Sequence, residues 1–419
     1  MVSFVALAEE LARSARAAAD QLGDLPTDVK NDALLRAADG LERERAKILE
    51  ANRRDLEAGE ARGLAAPVLD KTRLDDRRFD TMVEGIRDIV SLPDPVGEVT
   101  RMWNRPSGLQ VGRMRIPLGV ILIIYEARPN VTADAAALCL KSGNAVILRG
   151  GSEASESNRL IAATLREGAR GAGVPEDAVQ LVPQRDYEIV DSLLSREEEI
   201  DLVIPRGGEA LIRKVSQLSR IPVLKHYKGV CHVYLDESAD PKMAREIAIN
   251  SKCQRVAVCN AAETLLVHAA LSDTLLPGLL AELNGLDVEI RGCRRTREVF
   301  PEAQPATEKD WGEEYLDRIL AVRTVDSMDQ AIEHIRRHGS NHTEAIVTED
   351  LRRAREFLRR VNSSCVIVNA STRFADGFQL GMGAEVGIST TKIHWFGPMG
   401  LEGLTTQKFI AYGDGATLE

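Results

Sequence analysis

The 419-residue sequence lacks any hydrophobic run long enough to cross a membrane. Its longest apolar stretch, from Leu118 to Tyr125, is well short of the roughly 18 residues that a spanning helix needs. A run of Lys and Arg is also missing, and 54 Lys+Arg against 64 Asp+Glu give a net charge of −10. An acidic chain without a basic stripe is a poor candidate for nucleic-acid binding. We therefore expect neither a membrane protein nor a nucleic-acid-binding protein, and a small polar ligand fits better.

Cysteine is scarce, and no C-x-x-C pair occurs, which argues against a disulfide scaffold and a zinc ribbon. The six cysteines are Cys139, Cys231, Cys253, Cys259, Cys293 and Cys365. A signal peptide is not expected either, because Glu9 and Glu10 interrupt the N-terminus before an apolar core can form. The sequence thus predicts a cytoplasmic protein with reduced thiols.

The chain is long enough for two or three domains at about 150 residues each. Helical spacing dominates from Val2 to about Asp94, with polar breaks predicted at Asp28–Asn31 and Asp75–Asp80. A projecting hairpin is predicted over Gly97–Met114, around the turn signal Asn104–Gly108. A hairpin of this kind often contacts another subunit.

Two series of short apolar runs follow the hairpin, and most of them are separated by helical patterns. The first series comprises Gly119–Tyr125, Ala145–Leu148, Val179–Val182, Asp201–Ile204 and Pro222–Leu224. The second comprises Glu263–Val267, Val288–Ile290, Ile319–Val322, Glu344–Val347 and Cys365–Val368, alternating with helices such as Ser327–His338 and Leu351–Val361. Such alternation is typical of parallel, doubly wound sheets. We predict an α/β fold with two such domains and a crossing between them near Lys225–Asp236.

The usual nucleotide fingerprints are missing, since neither G-x-G-x-x-G after a strand nor G-x-x-x-x-G-K-[ST] occurs. One strand-to-helix corner nevertheless carries Arg206, Gly207 and Gly208 before a predicted helix over Glu209–Leu218. Exposed amides and the helix dipole at such a start suit a pyrophosphate. A plain turn without a ligand is the alternative.

A second corner reads Arg149-Gly150-Gly151-Ser152-Glu153. Arg149 is a fixed cation that suits a ribose 2′-phosphate, and Gly151 and Ser152 would line the same site. Glu153 would repel a phosphate, so we expect it to cap a helix that starts at Ala154. A capped helix start without a ligand remains the alternative.

Cys259 is the most promising thiol, because Arg255 would favour its thiolate and Asn260 would offer a donor to a developing oxyanion. A small core residue is the alternative for any single cysteine. Cys253 competes with it, since the adjacent Lys252 also favours a thiolate.

Three histidines, His334, His338 and His342, recur at a spacing of four. Gly339 ends the helix between them, and no carboxylate or cysteine ligand follows at a suitable spacing. We therefore expect no metal site, and His338 is better explained as a cation at a helix C-terminus.

Several segments resemble the NAD(P)-dependent aldehyde dehydrogenases, namely Pro117–Val120, Pro129–Asn130 and Ser142–Leu148. A longer pattern, from Val325 to Ile346, matches the signature of one family among them, the gamma-glutamyl phosphate reductases of proline biosynthesis, at every fixed position. Tyr125–Thr132 and Gly381–Ser389 are also similar to that family. The resemblance covers nearly the whole chain, from about Val5 to Gly415.

The resemblance implies an aldehyde-dehydrogenase-like fold of two doubly wound α/β domains plus a small oligomerisation hairpin and tail. We expect the nucleotide-binding domain over residues 1–96 and 115–228, the catalytic domain over 229–386, and the oligomerisation elements over 97–114 and 387–419. By resemblance, Cys259 is the nucleophile, and Asn130 holds the oxyanion together with the Cys259 backbone N–H. Glu314 falls where the superfamily contacts the nicotinamide ribose.

The activity implied is the NADPH-dependent reduction of glutamyl phosphate, in a homodimer or homotetramer that is coupled to a glutamate kinase. Arg373, assisted by Ser371, is predicted to bind the substrate carboxylate, and a solvated loop arginine is the alternative. Hydrolytic relatives carry a glutamate base where this chain has His226–Val230, which contains no carboxylate. Phosphate rather than water is therefore expected at the thioester.

Three other functions stay open at this point. One is a hydrolytic NAD(P)-dependent aldehyde dehydrogenase. Another is a thiol hydrolase that pairs Cys259 with His268 or His226 and needs no nucleotide, although the two glycine corners argue against it. The last is a metabolite-binding protein without catalysis, against which the presence of both Cys259 and Asn130 speaks.

Overall fold

The computed structural model describes residues 4–183 and 187–418, and it divides into two compact units. The first unit comprises Met1–Lys225, Met382–Gly387 and Met399–Glu419, and the second comprises His226–Gly381 and Ile388–Pro398. Within the described ranges, no helix combines the length and apolar character needed to span a bilayer. The functional roles assigned above to parts of the chain stay predictions.

The helices and strands of the described residues alternate along most of the chain. The α-helices are α1 (Phe4–Leu22), α2 (Thr27–Ala61), α3 (Ala66–Thr72), α4 (Asp76–Ser91), α5 (Pro129–Lys141), α6 (Ser155–Gly171), α7 (Tyr187–Leu193), α8 (Glu209–Leu218), α9 (Pro241–Cys253), α10 (Leu276–Gly285), α11 (Arg294–Val299), α12 (Met328–His338) and α13 (Leu351–Arg360). The strands are β1 (Val99–Asn104), β2 (Gln110–Pro117), β3 (Val120–Tyr125), β4 (Ala145–Arg149), β5 (Val179–Leu181), β6 (Leu202–Arg206), β7 (Cys231–Leu235), β8 (Ala262–His268), β9 (Glu289–Gly292), β10 (Gln304–Pro305), β11 (Ile319–Val325), β12 (Thr343–Val347), β13 (Cys365–Val368), β14 (Gly387–Ser389), β15 (Gly397–Met399) and β16 (Thr405–Tyr412).

The predicted N-terminal helical layer is confirmed as α1 to α4, although Val2 lies outside the described residues. Both predicted polar breaks are displaced, since the helices are interrupted at residues 23–26 and 73–75. Asp28–Asn31 belongs to α2, because an aspartate in the first turn suits the helix dipole. Asp75 caps α4 by accepting the Arg78 N–H, so the acidic residues after it start that helix rather than interrupt it.

A parallel four-stranded sheet, in the order β5-β4-β3-β6, forms the core of the first unit. All six residues of β3 are buried, as expected for a strand covered on both faces. The predicted strand Pro222–Leu224 is wrong, since only an isolated bridge joins Val203 to Val223. Glu126, Arg149 and Arg206 lie at the carboxyl ends of β3, β4 and β6, which is the edge where open α/β sheets bind ligands.

The predicted hairpin is confirmed, with Asn104 opposite Gln110 in an antiparallel pair of β1 and β2. A third strand, β16, pairs with the other edge of β2 in a register that sets Tyr412 opposite Gln110. The last apolar run of the sequence therefore completes a three-stranded antiparallel sheet. Phe409 and Tyr412 are 65% and 61% exposed, so β16 carries large apolar side chains at the surface.

The second unit contains a parallel seven-stranded sheet in the order β10-β9-β11-β8-β7-β12-β13. All five predicted strands of this half are present, and α12 and α13 match the predicted helices within one residue at each end. The sequence did not predict β7, which was assigned to the crossing between domains. This strand is buried at every residue and lies between β8 and β12. In the sequence, the polar residue His232 interrupts the apolar run of this strand. In the structure, this buried imidazole forms a hydrogen bond with the carboxylate of Glu344.

Candidate active site

Cys259 lies on the loop between α9 and β8, where its side chain is half-buried. The loop packs tightly against the start of β7. A Cβ on Gly229 would lie 2.0 Å from the carbonyl oxygen of Cys259, so only glycine fits at that position. The buried Cys231 thiol donates to the same carbonyl at 3.2 Å. These contacts fix the backbone that carries the thiol.

Two imidazoles accompany the thiol. Within the part of the chain that the structure describes, His226, Cys259 and His342 each offer one nitrogen or sulfur atom, and these atoms all lie within 4.8 Å of one another. The two rings meet edge to face, with their centroids 5.7 Å apart. In the sequence, His226 was named as the base of an alternative hydrolase and as part of the segment that lacks a glutamate base. His342 was named in a histidine series and in the family signature. The sequence did not predict this cluster.

The contacts of the two rings show that Nδ1 of each has a hydrogen-bond partner outside the cluster. Nδ1 of His226 lies 3.0 Å from the carbonyl oxygen of Ile388. Because a carbonyl only accepts, Nδ1 carries the proton and Nε2 bears the lone pair. Nδ1 of the fully buried His342 lies 2.8 Å from the hydroxyl of Thr343. His268 is used differently, since its Nδ1 accepts the N–H of Ala270 at the start of a short turn.

Cys253 is a poor competitor for the role of nucleophile. Burial raises the pKa of its thiol, and the nearby cations Arg318 and Lys252 offset this only in part. Lys252 lowers the pKa of Cys253, as expected, but burial outweighs this effect. The Lys252 ammonium also forms a fully buried ion pair with Glu263 at 2.5 Å.

The same ion pair supports the segment that carries Glu314. Glu263 Oε1 accepts the N–H of Leu316, a residue with a left-handed backbone (φ 52°), while its other oxygen contacts Lys252. Glu314 Oε1 in turn accepts the N–H of Gly229 at 2.9 Å. A chain of polar contacts, of which the ion pair is fully buried and the others are partly buried, thus connects the Lys252–Glu263 pair to the glycine that packs against Cys259. Burial raises the pKa of Glu263 to about 7, and the ammonium opposes that shift.

Arg373 and Ser371 lie on a short turn that follows β13. Ser371 is only 4% exposed, and its hydroxyl accepts the N–H of Arg373 and the hydroxyl of Ser251. Ser371 therefore shapes the turn, and its direct contact with a substrate stays a prediction. The half-buried Arg373 donates from Nε to Gln254 at 2.9 Å. Burial and the positive charge of Arg255 lower the pKa of Arg373, whereas Cys259 and Cys231 act in the opposite direction, so this guanidinium lies in the electrostatic field of the thiols.

Asn260 does not serve as the oxyanion donor that its place after Cys259 suggests. Its Nδ2 donates to the carbonyl oxygens of Ala375, at 3.0 Å, and Arg373, at 3.5 Å. Both donors of the amide are thus directed at the backbone of the turn, and the side chain is 4% exposed. Its role is to hold the arginine turn beside the thiol loop.

Asn130 lies in the first unit, at the start of α5, where its Nδ2 donates to Asp134 at 2.9 Å. Burial raises the pKa of Asp134 to about 6, and the bond to Asn130 and the charge of Arg206 offset part of that shift. This contact orients the Asn130 amide. Its action on the oxyanion stays a prediction.

The glycine corner before α8 is occupied by a carboxylate of this chain. The N–H of Gly208 donates to Glu126 Oε2 at 2.9 Å, and a Cβ on Gly207 would lie 2.4 Å from the same oxygen. Glu126 and both glycines are exposed, whereas Arg206 is half-buried. The predicted pyrophosphate position therefore holds an anionic group that solvent can reach. Sequence reasoning named Glu126 only within a family motif, because its contact joins residues that are distant along the chain.

The second corner differs from the prediction. Glu153 does not cap a helix from Ala154, because Glu153 Oε1 accepts the N–H of Ala127 at 2.5 Å and α6 begins at Ser155. The carboxylate of Asp55, on α2, caps α6 instead, and it accepts the amides of Glu156 at 3.1 Å and Ser157 at 2.9 Å. These amides are not open to a phosphate.

Arg149 is 7% exposed and borders a narrow cleft together with Asp191 and Lys214. Gly151 is buried and Ser152 is half-buried. Arg149 and Lys214 have the charge that suits a phosphate, but the carboxylate of Asp191 in the same cleft would repel one. The role of Arg149, Gly151 and Ser152 in nucleotide binding stays a prediction.

Comparisons with known proteins agree with this architecture. The sequence matches the aldehyde dehydrogenase family over residues 5–297. A gamma-glutamyl phosphate reductase of Geobacter metallireducens is 58% identical over 405 residues, which cover 97% of each chain. The crystal structure of the gamma-glutamyl phosphate reductase of Thermotoga maritima has a TM-score of 0.96 to this chain at 45% identity, and the match covers 98% of this chain and 100% of that one.

A more distant structure extends the likeness of the fold alone. The acetylating aldehyde dehydrogenase of Geobacillus thermoglucosidasius is 16% identical, with a TM-score of 0.69, and the match covers 99% of this chain and 98% of that one. The predicted aldehyde-dehydrogenase-like α/β fold is thereby confirmed. The chain belongs to the aldehyde dehydrogenase family, and within it to the gamma-glutamyl phosphate reductases.

Proposed function

We propose that the protein reduces L-glutamyl 5-phosphate to L-glutamate 5-semialdehyde with NADPH and releases phosphate, the second step of proline biosynthesis. The observation that carries the proposal is the Cys259 thiol, held beside two imidazoles by a rigid loop, in a chain that is 58% identical to a gamma-glutamyl phosphate reductase. A thiol in such a setting is suited to covalent catalysis on an acyl group.

Cys259 is the nucleophile of the proposed reaction. Nε2 of His226 takes the thiol proton, because its Nδ1–H is held by the Ile388 carbonyl. The sulfur attacks the acyl carbon, the C–O bond to phosphate breaks, and phosphate leaves with the bonding electron pair, so that a thioester remains. NADPH, when bound, supplies the hydride that converts the thioester into a thiohemiacetal anion. The C–S bond then breaks, which releases the aldehyde and regenerates the thiolate.

Both carbonyl steps place a negative charge on the same oxygen. We propose that the Asn130 amide and the Cys259 backbone N–H stabilise it, each by roughly 2.7–4 kcal/mol, as is typical of oxyanion-hole donors. The side-chain amide of Asn130 has two N–H donors. The hydrogen bond to Asp134 uses one of them and fixes the direction of the other. Arg373 would bind the substrate α-carboxylate, with Ser371 holding its turn.

Nucleotide binding is proposed at the carboxyl edge of the parallel sheet in the first unit. Arg206, Gly207 and Gly208 fit a pyrophosphate, since this helix start already accepts the Glu126 carboxylate. Glu126 must leave when the pyrophosphate binds. Arg149, with Gly151 and Ser152, would face the ribose 2′-phosphate, and Glu314 the nicotinamide ribose.

We propose that the protein is a homodimer or homotetramer that associates through the three-stranded sheet. Exposed Phe409 and Tyr412 on the edge strand β16 support this proposal, because an apolar strand edge is a pairing hazard unless it is covered. Deletion of Val99–Gly112 should yield a smaller species that keeps its nucleotide affinity. A full-length monomer in light scattering at micromolar concentration would contradict the proposal.

The setting of the reaction is proposed from its chemistry. Acyl phosphates form by phosphoryl transfer to a carboxylate, so a glutamate kinase must supply the substrate. The six cysteines are all in the described residues and are all free thiols. Such thiols are maintained in the reducing cytoplasm, where we place the enzyme.

The reverse reaction tests the function. Nicotinamide absorbance is followed with glutamate semialdehyde and NADP, in buffers with phosphate, with arsenate or with neither. We expect repeated turnover only with phosphate or arsenate, and no more than one oxidation per active site without them, since the segment His226–Val230 carries no carboxylate to activate water. Robust oxidation without either anion, yielding free glutamate, would establish the hydrolytic dehydrogenase instead, with His226 as the base.

A further inference from the structure

We propose that His226, Cys259 and His342 form a binding site for a thiophilic divalent cation such as Zn²⁺, and that the bound metal reversibly blocks the thiol. The three ligand atoms lie within 4.8 Å of one another. In a tetrahedral zinc site, with bonds of about 2.0–2.3 Å, ligand atoms are about 3.3–3.8 Å apart. Small rotations of the side chains therefore close the cluster around a metal.

The donor set selects the class of metal. One thiolate sulfur and two imidazole nitrogens suit Zn²⁺ and similar borderline cations, whereas Mg²⁺ and Ca²⁺ require oxygen ligands. Three protein ligands leave a fourth position for water. As the metal–sulfur bond forms, the thiol proton passes to solvent and a sulfur lone pair is donated to the metal.

The surroundings of the imidazoles prepare them as ligands. The Ile388 carbonyl, which accepts from Nδ1 of His226, presents Nε2 in the unprotonated form that a metal requires. For His342 we assign Nε2 as the ligand atom, because Nδ1 contacts the Thr343 hydroxyl at 2.8 Å. A carbonyl or hydroxyl on the far nitrogen of a ligating histidine is the usual second contact in metal sites. These contacts orient both rings without the metal.

The consequence is inhibition, because the lone pair that attacks the acyl carbon is held in the metal–sulfur bond. This part of the inference rests on the proposed function, whereas metal binding itself does not. The site would thus make a biosynthetic thiol sensitive to free thiophilic metal, and a chelator would restore it.

Metal binding is tested directly on the full chain. Co²⁺ is added to the purified protein, and the thiolate-to-cobalt charge-transfer band and the tetrahedral d–d bands are recorded; Zn²⁺ affinity is measured by competition with a chromophoric chelator. We expect one metal per chain. His226→Gln and His342→Gln should each weaken binding at least about tenfold, and Cys259→Ser should abolish the charge-transfer band.

Cys253→Ser and His268→Gln are the matched controls, since both residues lie outside the cluster, and they should bind as the wild type does. Thermal unfolding checks the fold of every variant. If the buried His342 variant does not fold, the half-buried His226 variant still decides the question. Unchanged affinity in His226→Gln, or a charge-transfer band retained in Cys259→Ser, would overturn the proposed site.

Inhibition is then compared with binding. Zn²⁺ should block turnover, and the inhibition constants of the wild type and of any active histidine variant should shift in parallel with the chelator-derived affinities. Equal inhibition of wild type and variants would show that zinc acts on a lone cysteine and would contradict the proposal. If the metal binds as expected but no reductase activity is found, the site stands and the proposed function fails.

Discussion

The acidic residues around the proposed nucleotide site and those around the thiol make different contacts. In the first unit, carboxylates cover helix starts: Asp55 caps α6, and the exposed Glu126 accepts from the amide before α8. In the second unit, the carboxylates of Glu263 and Glu344 are fully buried against Lys252 and His232. Of these carboxylates, Glu126 is a displaceable anion at the place where a phosphate is expected, whereas the buried pairs of the second unit support the backbone around a thiol.

The exposed carboxylate can exchange with a ligand, whereas the buried ion pairs keep the backbone around the thiol rigid. An exposed carboxylate at a helix start contributes little free energy, so a phosphate can replace it at small cost. Removing one partner of a buried ion pair costs several kcal/mol, because a charge is left without compensation. Substitutions at the thiol, at the buried pair and at the helix start test this contrast.

Cys259→Ala should abolish turnover, because it removes the sulfur that forms the thioester. Folding and nucleotide binding should be largely retained, since the nucleotide residues proposed at the helix starts belong to the first unit. Steady-state kinetics and nucleotide titration measure the two properties. Cys253→Ala is the matched control and should stay active; an inactive Cys253 variant beside an active Cys259 variant would show that the nucleophile is misassigned.

Lys252→Met should lower the free energy of unfolding by about 3–5 kcal/mol, since it leaves the fully buried Glu263 without its partner. The double variant Lys252→Met/Glu263→Met should recover much of that loss, because it removes both charges. Arg245→Ala, which breaks the exposed pair with Glu282, is the control and should cost less than about 1 kcal/mol. Urea unfolding measures all three, and equal losses for buried and exposed pairs would remove the contrast.

Two buried groups, one in each unit, should make contributions of opposite sign to the pH dependence of stability. Burial lowers the pKa of His334, in the second unit, from 6.5 to about 2. Below pH 6.5, His334 is protonated in the unfolded chain but not in the folded chain. The free energy of unfolding therefore falls as pH falls, by up to about 1.4 kcal/mol per pH unit. In the first unit, the pKa of Asp134 is raised to about 6, so its folded state keeps a proton that the unfolded chain releases. Stability then falls as pH rises from about 4 to 6.

Urea unfolding at several pH values separates the two groups. Between pH 6.5 and 5, His334→Gln should lose less stability than the wild type, by up to about 2 kcal/mol. As pH rises from about 4 to 6, Asp134→Asn should lose less stability than the wild type. Identical pH profiles for the wild type and both variants would show that neither residue contributes.

Glu126→Gln should tighten nucleotide binding several-fold. The neutral amide still reaches the Gly208 N–H but no longer repels a pyrophosphate. Asp55→Asn is the comparison, because it caps a helix start that we do not expect the nucleotide to use, and it should destabilise the protein rather than tighten binding. Nucleotide titration by fluorescence or calorimetry measures both, and weaker binding to the Glu126 variant would argue that this carboxylate contacts the nucleotide.

Local patterns predicted much of the fold. The hairpin over Gly97–Met114 and the helix Glu209–Leu218 are found where the turn signal and the periodicity place them. The strand Cys231–Leu235 was missed because a buried histidine interrupts its apolar run, and its partner, Glu344, lies far along the chain. A local sequence pattern does not show that such a histidine has a hydrogen-bond partner far along the chain.

The candidate site was predicted less completely, because its contacts are long-range. Cys259 carries a family motif, but its neighbours His226 and His342 come from distant segments that only the fold brings together. The helix caps show the same limit. Glu153 was the local candidate for α6, yet Asp55 on another helix takes that role.

The acyl-enzyme is the most direct test of the account. The protein is mixed with glutamate semialdehyde and NADP in phosphate-free buffer, quenched in acid, digested and analysed by mass spectrometry. The peptide containing Cys259 should gain the mass of the semialdehyde less two hydrogen atoms, and phosphate added before the quench should remove this adduct. An adduct on Cys253, or NADPH and free glutamate accumulating with no adduct on Cys259, would contradict the account.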